Sequence, residues 1–340
     1  MRYLVTGGAG FIGSNFIRYL FTKYGDDAQV VNLDKLTYAG IRENLAEYEG
    51  KKNYRFVHGD IARPEDVADA YRGVDGSGVD VVVNFAAETH VDRSLMEAGT
   101  FIQTDVYGVL VLLEEARKTT LKRFVQISTD EVYGSIETGE FKETDPLSPR
   151  NPYSASKAGG DRMAYAYGQT YGLPVIVTRA SNNYGPYQYP EKLIPLFVTN
   201  AIDDRPLPLY GDGKNVRDWL YVEDHCAAVD FLIEHGSNGE VYNIGGGNEL
   251  ENRDITSRIL ELLGKPESLI KRVQDRQGHD RRYALDTAKL QKLGFHCATQ
   301  FPGGLERTVQ WYVENEPWWR AIKEKSADYK AWMEKQYANR

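Results

Sequence analysis

Residues 2–34 restrict this chain most. Arg2-Tyr3-Leu4-Val5-Thr6 reads as a short buried strand, and Gly7-Gly8-Ala9-Gly10-Phe11-Ile12-Gly13 follows at once, ahead of a helical run over 14–23. Both a G-x-x-G-x-x-G and a G-x-G-x-x-G spacing can be read there. Glycines at a strand-to-helix turn let the backbone approach a pyrophosphate. That group then lies at a helix N-terminus, where free N–H groups and the dipole favour negative charge. A second strand, Gln29-Val30-Val31-Asn32-Leu33, ends at Asp34. An acid there accepts hydrogen bonds from the ribose hydroxyls of NAD and repels the extra phosphate of NADP. The glycine spacing alone is a weak signal. With strand, helix, strand and acid in register it predicts bound NAD+, while Lys35 beside the acid leaves a small opening for NADP.

The pattern continues. Residues 54–57 form a strand ending at His58-Gly59-Asp60-Ile61, and 79–85 another, running into Ala86-Ala87-Glu88-Thr89. Residues 124–128 and 175–179 are two more, with helical runs between, including 100–118 and 153–171. Continuous apolar strands separated by helices predict an α/β fold, a Rossmann-type doubly wound parallel sheet covered on both faces. The NAD-binding domain is expected over 1–180, with about 221–245 returning to it, and a smaller C-terminal substrate-binding domain mainly over 181–340. Ligands of such sheets bind past the carboxyl ends of the strands. Asp34, Asp60, Phe85 to Ala87 and Ser128-Thr129-Asp130 are therefore expected in one crevice.

Composition removes other classes of function. The chain has 340 residues and a net charge of −8 with no run of like charge, so nucleic acid is not an expected partner. Cys226 and Cys297 have no metal-type spacing, no metal site is expected, and no leader is recognisable, which suggests a reducing, cytoplasmic setting. No apolar stretch reaches the ~18 residues that a membrane span needs.

Two short motifs carry chemistry. Tyr153-x-x-x-Lys157 places a phenol and an ammonium one helical turn apart, where the charge is expected to lower the phenol's pKa and make it a base towards an alcohol. Thr129-Asp130-Glu131 adds an acid pair that plain alcohol oxidation does not require, which points to a second proton-transfer step such as loss of water. Alone, an acid pair after a strand is more often a solvated turn or cap, and Tyr-x-x-x-Lys arises by chance in a chain with 23 tyrosines. Their joint position around one nicotinamide carries the weight. His58 and His90 are read as structural or peripheral, and Trp311, Tyr312, Trp318 and Trp319 as helix packing.

Beyond residue 180 the character changes. Asn182 to Pro190 is a loop rich in aromatics and amides, Leu207 to Tyr210 and Gly211 to Asn215 read as turn chemistry, 241–245 as a strand, and Asp275 to Arg282 concentrate charge. A substrate with phosphates and a flat base needs such groups. Arg281 and Arg282 read equally as a solvated charge run, and Tyr187 and Tyr189 as loop packing.

Gly7 to Gly13, Ser128-Thr-Asp-Glu-Val-Tyr-Gly134, Tyr153-Ser-Ala-Ser-Lys157, the stretch Arg179 to Pro195 and Gly211-Asp-Gly-Lys-Asn-Val-Arg-Asp-Trp219 together resemble the nucleotide-sugar branch of the extended short-chain dehydrogenases/reductases. Within it they are most similar to the dTDP-glucose 4,6-dehydratase family, and the similarity reaches from Met1 to about Trp311. Epimerases of that branch share the Tyr and Lys without the acid pair.

The resemblance implies C4 oxidation by Tyr153 with Lys157, C5 deprotonation by Glu131, protonation of the departing C6 hydroxyl by Asp130, and a Thr129 hydrogen bond to the C4 oxygen. It implies tightly held, recycled NAD+ touched by Gly7, Gly10, Phe11, Ile12, Gly13, Asp34, Lys35, Leu36, Thr37, Asp60, Ile61, Phe85, Ala86, Ala87, Thr104, Ser128, Tyr153, Lys157 and Asn183. For a nucleotide-diphosphate sugar it implies Glu88, Thr89, Thr129, Asn182, Lys192, Leu193, Pro208, Tyr210, Arg217, Asn252, Arg276 and His279. It also implies a homodimer through helices 100–118 and 153–171. Asp105 stands where the family usually has Asn and Gln277 where it usually has Pro; neither is expected to touch a catalytic group. The choice of thymine or uracil, and a different enzyme of the branch or a non-catalytic NAD-binding protein, stay open here.

Overall fold

The computed structural model describes residues 1–275 and 279–337. Seven parallel strands form the main sheet: β1 (Arg2–Thr6), β2 (Gln29–Asp34), β3 (Tyr54–His58), β4 (Val81–Asn84), β5 (Arg123–Thr129), β6 (Val175–Ala180) and, later in the chain, β10 (Val241–Ile244). Their spatial order is β10-β6-β5-β4-β1-β2-β3. Val5 therefore has Asn32 of β2 on one side and Val83 of β4 on the other. The chain order reverses between β1 and β4, and a crevice opens there past the carboxyl ends.

Both faces of the sheet are apolar because both are covered. On one side Tyr3, Val5, Val30, Val83 and Val125 pack with Phe16, Ile17 and Leu20 of helix Phe11–Tyr24 and with Cys226, Val229 and Ile233 of helix Val222–His235. On the other, Leu4, Val31, Val82 and Phe124 pack with Val67, Leu112 and Ala164 from helices Pro64–Ala70, Val109–Ala116 and Pro152–Tyr171.

The rest builds around a second core. Strands β7 (Asn182–Tyr184), β9 (Val216–Tyr221) and β11 (Glu249–Glu251) make a small mixed sheet, and β8 (Leu207–Tyr210) pairs in parallel with β12 (Ile270–Val273). Tyr184, Phe197, Leu209, Trp219, Ile255, Tyr312 and Trp319 fill the space between. Trp319 donates to the Tyr312 carbonyl, and Trp318 reaches across to Asn44 Oδ1 at 2.8 Å, so these aromatics are packing groups as expected.

Two segments differ from expectation. Leu207–Tyr210 is a strand rather than a turn, because a partner far along the chain satisfies its backbone and a two-stranded ribbon tolerates Pro208 at its edge. Residues 100–118 are not one regular α-helix: Gln103–Gly108 form a wider π-helical turn between helices Ala98–Ile102 and Val109–Ala116. Gly160 on the facing helix admits that turn, since a Cβ there would overlap the Asp105 carbonyl. Among the described residues no helix is long and apolar enough to cross a membrane, and no group of His, Cys, Asp and Glu could hold a metal.

Candidate active site

A cavity of about 310 Å3 lies past the ends of β1, β2, β4 and β5. Gly7, in a left-handed conformation (φ 66°), turns the chain out of β1, and a Cβ there would come within 2.7 Å of the Ala86 amide. A Cβ on Gly13 would overlap the Gly7 carbonyl. Helix Phe11–Tyr24 starts behind these glycines with no side-chain cap and no acid in its first turn, so its N–H groups are left for an anion.

Asp34 ends β2 and is fixed by two amides, Ala9 N–H on Oδ2 (2.9 Å) and Leu36 N–H on Oδ1 (2.8 Å). Lys35 is paired with Asp60 at 2.7 Å on the same side of the cavity. Ser128 Oγ and Asn182 Oδ1 are buried without a protein partner, as expected of a wall shaped for a polar ligand. The residues present thus fit a dinucleotide. Of the proposed NAD contacts, every one lines this cavity except Leu36, which supplies its backbone to Asp34 instead.

The chemical groups meet at the end of β5. Helix Pro152–Tyr171 is started by a reciprocal cap between Asn151 and Ser154, with Pro152 in its first turn. Tyr153 and Lys157 thereby face β5, and Lys157 Nζ donates to the Ile127 carbonyl at 2.8 Å. Thr129 Oγ1 donates to Asp130 Oδ1 at 3.1 Å and accepts the Glu131 N–H at 3.3 Å. The second Asp130 oxygen is buried with no protein partner. Burial, with the Glu131 charge beside it, pushes the Asp130 carboxyl up to about 8, so it holds a proton at neutral pH.

One expectation is corrected here. Tyr153 lies well above the ordinary phenol value, because it is desolvated and faces the charges of Glu131 and Asp105. Burial also lowers Lys157. The lysine therefore does not make a phenolate unaided. Positive charge delivered with a bound nicotinamide would tip that balance.

Asp105 makes no hydrogen bond to this pair but acts on it through its charge. It is buried in the π-helical turn, accepting Ser156 Oγ at 2.6 Å and Glu88 N–H at 2.9 Å, and its charge opposes ionisation of Tyr153 while supporting that of Lys157. The departure from Asn therefore does act on the catalytic pair.

A second cavity, about 180 Å3, adjoins the first. Thr89, Glu131, Asn182 and Lys192 line both. Leu193, Pro208, Tyr210, Arg217, Asn252 and His279 line the second, and Glu88 the first, so the structure brings these separate motifs together. Arg276 lies outside the described residues, as does Gln277. Arg281 pairs with Asp212 and Arg282 with Glu249, away from both cavities.

His58 is peripheral, against the Lys35 carbonyl, whereas His90 lines the second cavity. Several groups escaped sequence reasoning. His225, pushed down to about 4 by burial, holds Asn183 at 2.9 Å. Tyr283 donates to Asp280 at 2.7 Å and reaches Glu131 at 3.5 Å. Neither stands in a motif with a local signal.

Residues 4–308 match the GDP-mannose 4,6 dehydratase family. The low-salt glycan biosynthesis protein Agl12 of Haloferax volcanii is 53% identical over 93% of this chain and 100% of its own. A dTDP-glucose 4,6-dehydratase of Streptomyces niveus is 51% identical over 95% of this chain and 96% of its own. The crystal structure of a dTDP-glucose 4,6-dehydratase from Streptomyces venezuelae, solved with NAD bound, superposes with a TM-score of 0.91 at 52% identity, covering 95% of this chain and all of that one. With glycine cradle, ribose acid, Tyr-Lys pair and acid pair converging on one crevice, the chain belongs to the GDP-mannose 4,6 dehydratase family.

Proposed function

We propose that this chain is an NAD-dependent dTDP-glucose 4,6-dehydratase, a hydro-lyase giving dTDP-4-keto-6-deoxyglucose and water. The observation that carries the reading is Asp130, kept protonated by burial, and Glu131 placed beside Tyr153 where the two cavities meet. The similarity at about half identity to dTDP-glucose 4,6-dehydratases over nearly the whole chain supports it.

Bound NAD+ would accept the C4 hydride and return it to C6. Tyr153 takes the proton of the C4 hydroxyl, and Thr129 hydrogen-bonds the oxygen as it becomes a ketone. That ketone acidifies the C5 proton, which Glu131 removes. Asp130 gives its proton to the departing C6 hydroxyl, so water leaves. Glu131 then reprotonates C5, and Asp34 with the glycine turn retains the cofactor throughout. An epimerase needs no C5 proton transfer, so Asp130 and Glu131 would be idle in one.

Residues 1–180 with 221–245 form the cofactor unit in this reading, and the remainder mainly the nucleotide-sugar unit. The chain acts in the cytoplasm, where its two unpaired cysteines fit a reducing setting. It acts as a homodimer, supported by Leu95, Met96, Ile102, Tyr107 and Tyr171, which leave apolar surface exposed along and beside the two proposed interface helices.

Incubating the purified protein with dTDP-glucose and, separately, UDP-glucose tests the function. The dTDP sugar should yield the alkali-developed 4-keto chromophore with no added NAD+. Conversion to a C4 epimer without that chromophore would overturn the proposal.

A further inference from the structure

The second cavity has a wall that the cofactor and nucleotide-sugar motifs leave unexplained. Helix Ala327–Tyr337 lays Trp332, Met333 and Gln336 along it, beyond residue 308 where the family match ends. Trp332 is 7% and Gln336 5% exposed, so neither is a surface group.

Contacts clamp this helix to the cavity rim. Gln336 Nε2 donates to the Tyr210 hydroxyl at 2.7 Å, and the Tyr329 hydroxyl donates to the Pro190 carbonyl at 3.2 Å. The Arg93 guanidinium lies 4.4 Å from the centre of the Trp332 ring and 3.7 Å from that of Tyr38, and pairs with buried Glu191 at 3.4 Å. The His90 ring is 4.9 Å from Trp332.

Part of this cavity's lining is shared with the cofactor cavity and part is its own. Glu131, Thr89 and Asn182, shared with the cofactor cavity, mark the end where the sugar reacts. The part of a nucleotide sugar farthest from its reacting carbons is the base. Pro208, Tyr210, Trp332 and Gln336 offer flat surfaces and a primary amide, which carries both a donor and an acceptor for a pyrimidine edge.

We propose that helix Ala327–Tyr337 is a clasp closing the base end of the substrate cavity, with Trp332 and Gln336 as specificity-determining residues for the pyrimidine. This rests on the nucleotide-sugar reading above.

Equilibrium binding of dTDP and of UDP to the full-length holoenzyme, followed by calorimetry, tests the clasp without requiring turnover. Steady-state kinetics on the two sugars accompany it. In Trp332→Ala the dTDP Kd and the KM for dTDP-glucose should rise ~10-fold or more, the loss expected when one stacked ring is removed, with kcat changed less than about threefold. Trp332→Phe should recover most of the loss. Gln336→Leu should change the dTDP-to-UDP preference while bound NAD content stays as in the parent protein.

Folded Trp332→Ala and Gln336→Leu variants with unchanged Kd, KM and base preference would overturn the clasp, and so would a Kd that falls, which would make the helix an obstruction. If Trp332→Ala fails to fold, Gln336→Leu decides the matter by base preference. A parent protein that binds dTDP tightly but turns over neither sugar would instead count against the proposed reaction.

Discussion

Replacing Asp130 by Asn isolates the acid of the elimination. Burial and the neighbouring Glu131 push this carboxyl up to about 8, so ~90% of molecules hold the proton at pH 7 and ~10% at pH 9. If that proton goes to the departing C6 hydroxyl, product formation should fall nearly tenfold across the interval. Ionisation of Tyr153 has the opposite slope, so the two steps must be read separately. Rapid mixing with dTDP-glucose reports oxidation by NADH absorbance, and quenched samples report the 4-keto product. The Asn variant should lose ~10²–10⁴ in elimination and the alkaline fall with it. A 6-fluoro sugar, whose leaving group needs no proton, should show no such fall and little loss in the variant. Stability gives a second reading. The folded carboxyl keeps its proton above the unfolded value of 3.8, so the native state is favoured at low pH and loses stability as pH climbs from ~4 through ~8. The Asn variant should melt with a flatter pH dependence there. An alkaline fall that persists in Asp130→Asn, or on the fluoro sugar, would refute the assignment.

Other perturbations separate the remaining roles. Tyr153→Phe should lose NADH formation and dehydration together, whereas Glu131→Gln should form NADH and stall, with little solvent deuterium entering C5; normal turnover in either would undo the scheme. Asp34→Ala removes the ribose acceptor, so the purified protein should carry less NAD and discriminate less against NADP, read by cofactor content and competition binding. Asp105, pushed up to about 6 by burial, is charged at neutral pH and opposes Tyr153. Asp105→Asn should therefore shift the pH profile of NADH formation towards acid, and a profile that stays put would remove Asp105 from the catalytic electrostatics.

What the sequence disclosed was whatever has a local cause. The turn from β1 through Gly7 to Gly13 and the Asn151–Ser154 cap that aims Tyr153 are written in adjacent residues. The pairing of Leu207–Tyr210 with Ile270–Val273 depends on residues far apart, and its proline made a turn the better local reading. The π-helical turn around Asp105 exists because Gly160, on another helix, admits it. Motif reading placed Tyr153 beside Lys157 correctly but misjudged the phenol, since desolvation and the charges of Glu131 and Asp105 act through space. Tyr283 and Trp332 belong to no motif, and only the fold shows that they approach the acid pair and the second cavity.

The wall common to both cavities has a kinetic meaning. Thr89, Glu131, Asn182, Glu191 and Lys192 line both cavities, so the two share one wall. A nucleotide sugar seated in the second cavity would lie against that wall and so hinder release of the dinucleotide on that side. High substrate should then slow exchange of bound NAD with labelled NAD in solution. Such traffic suits a catalyst that lends a hydride and takes it back, because its cofactor is walled in for the interval in which it is reduced.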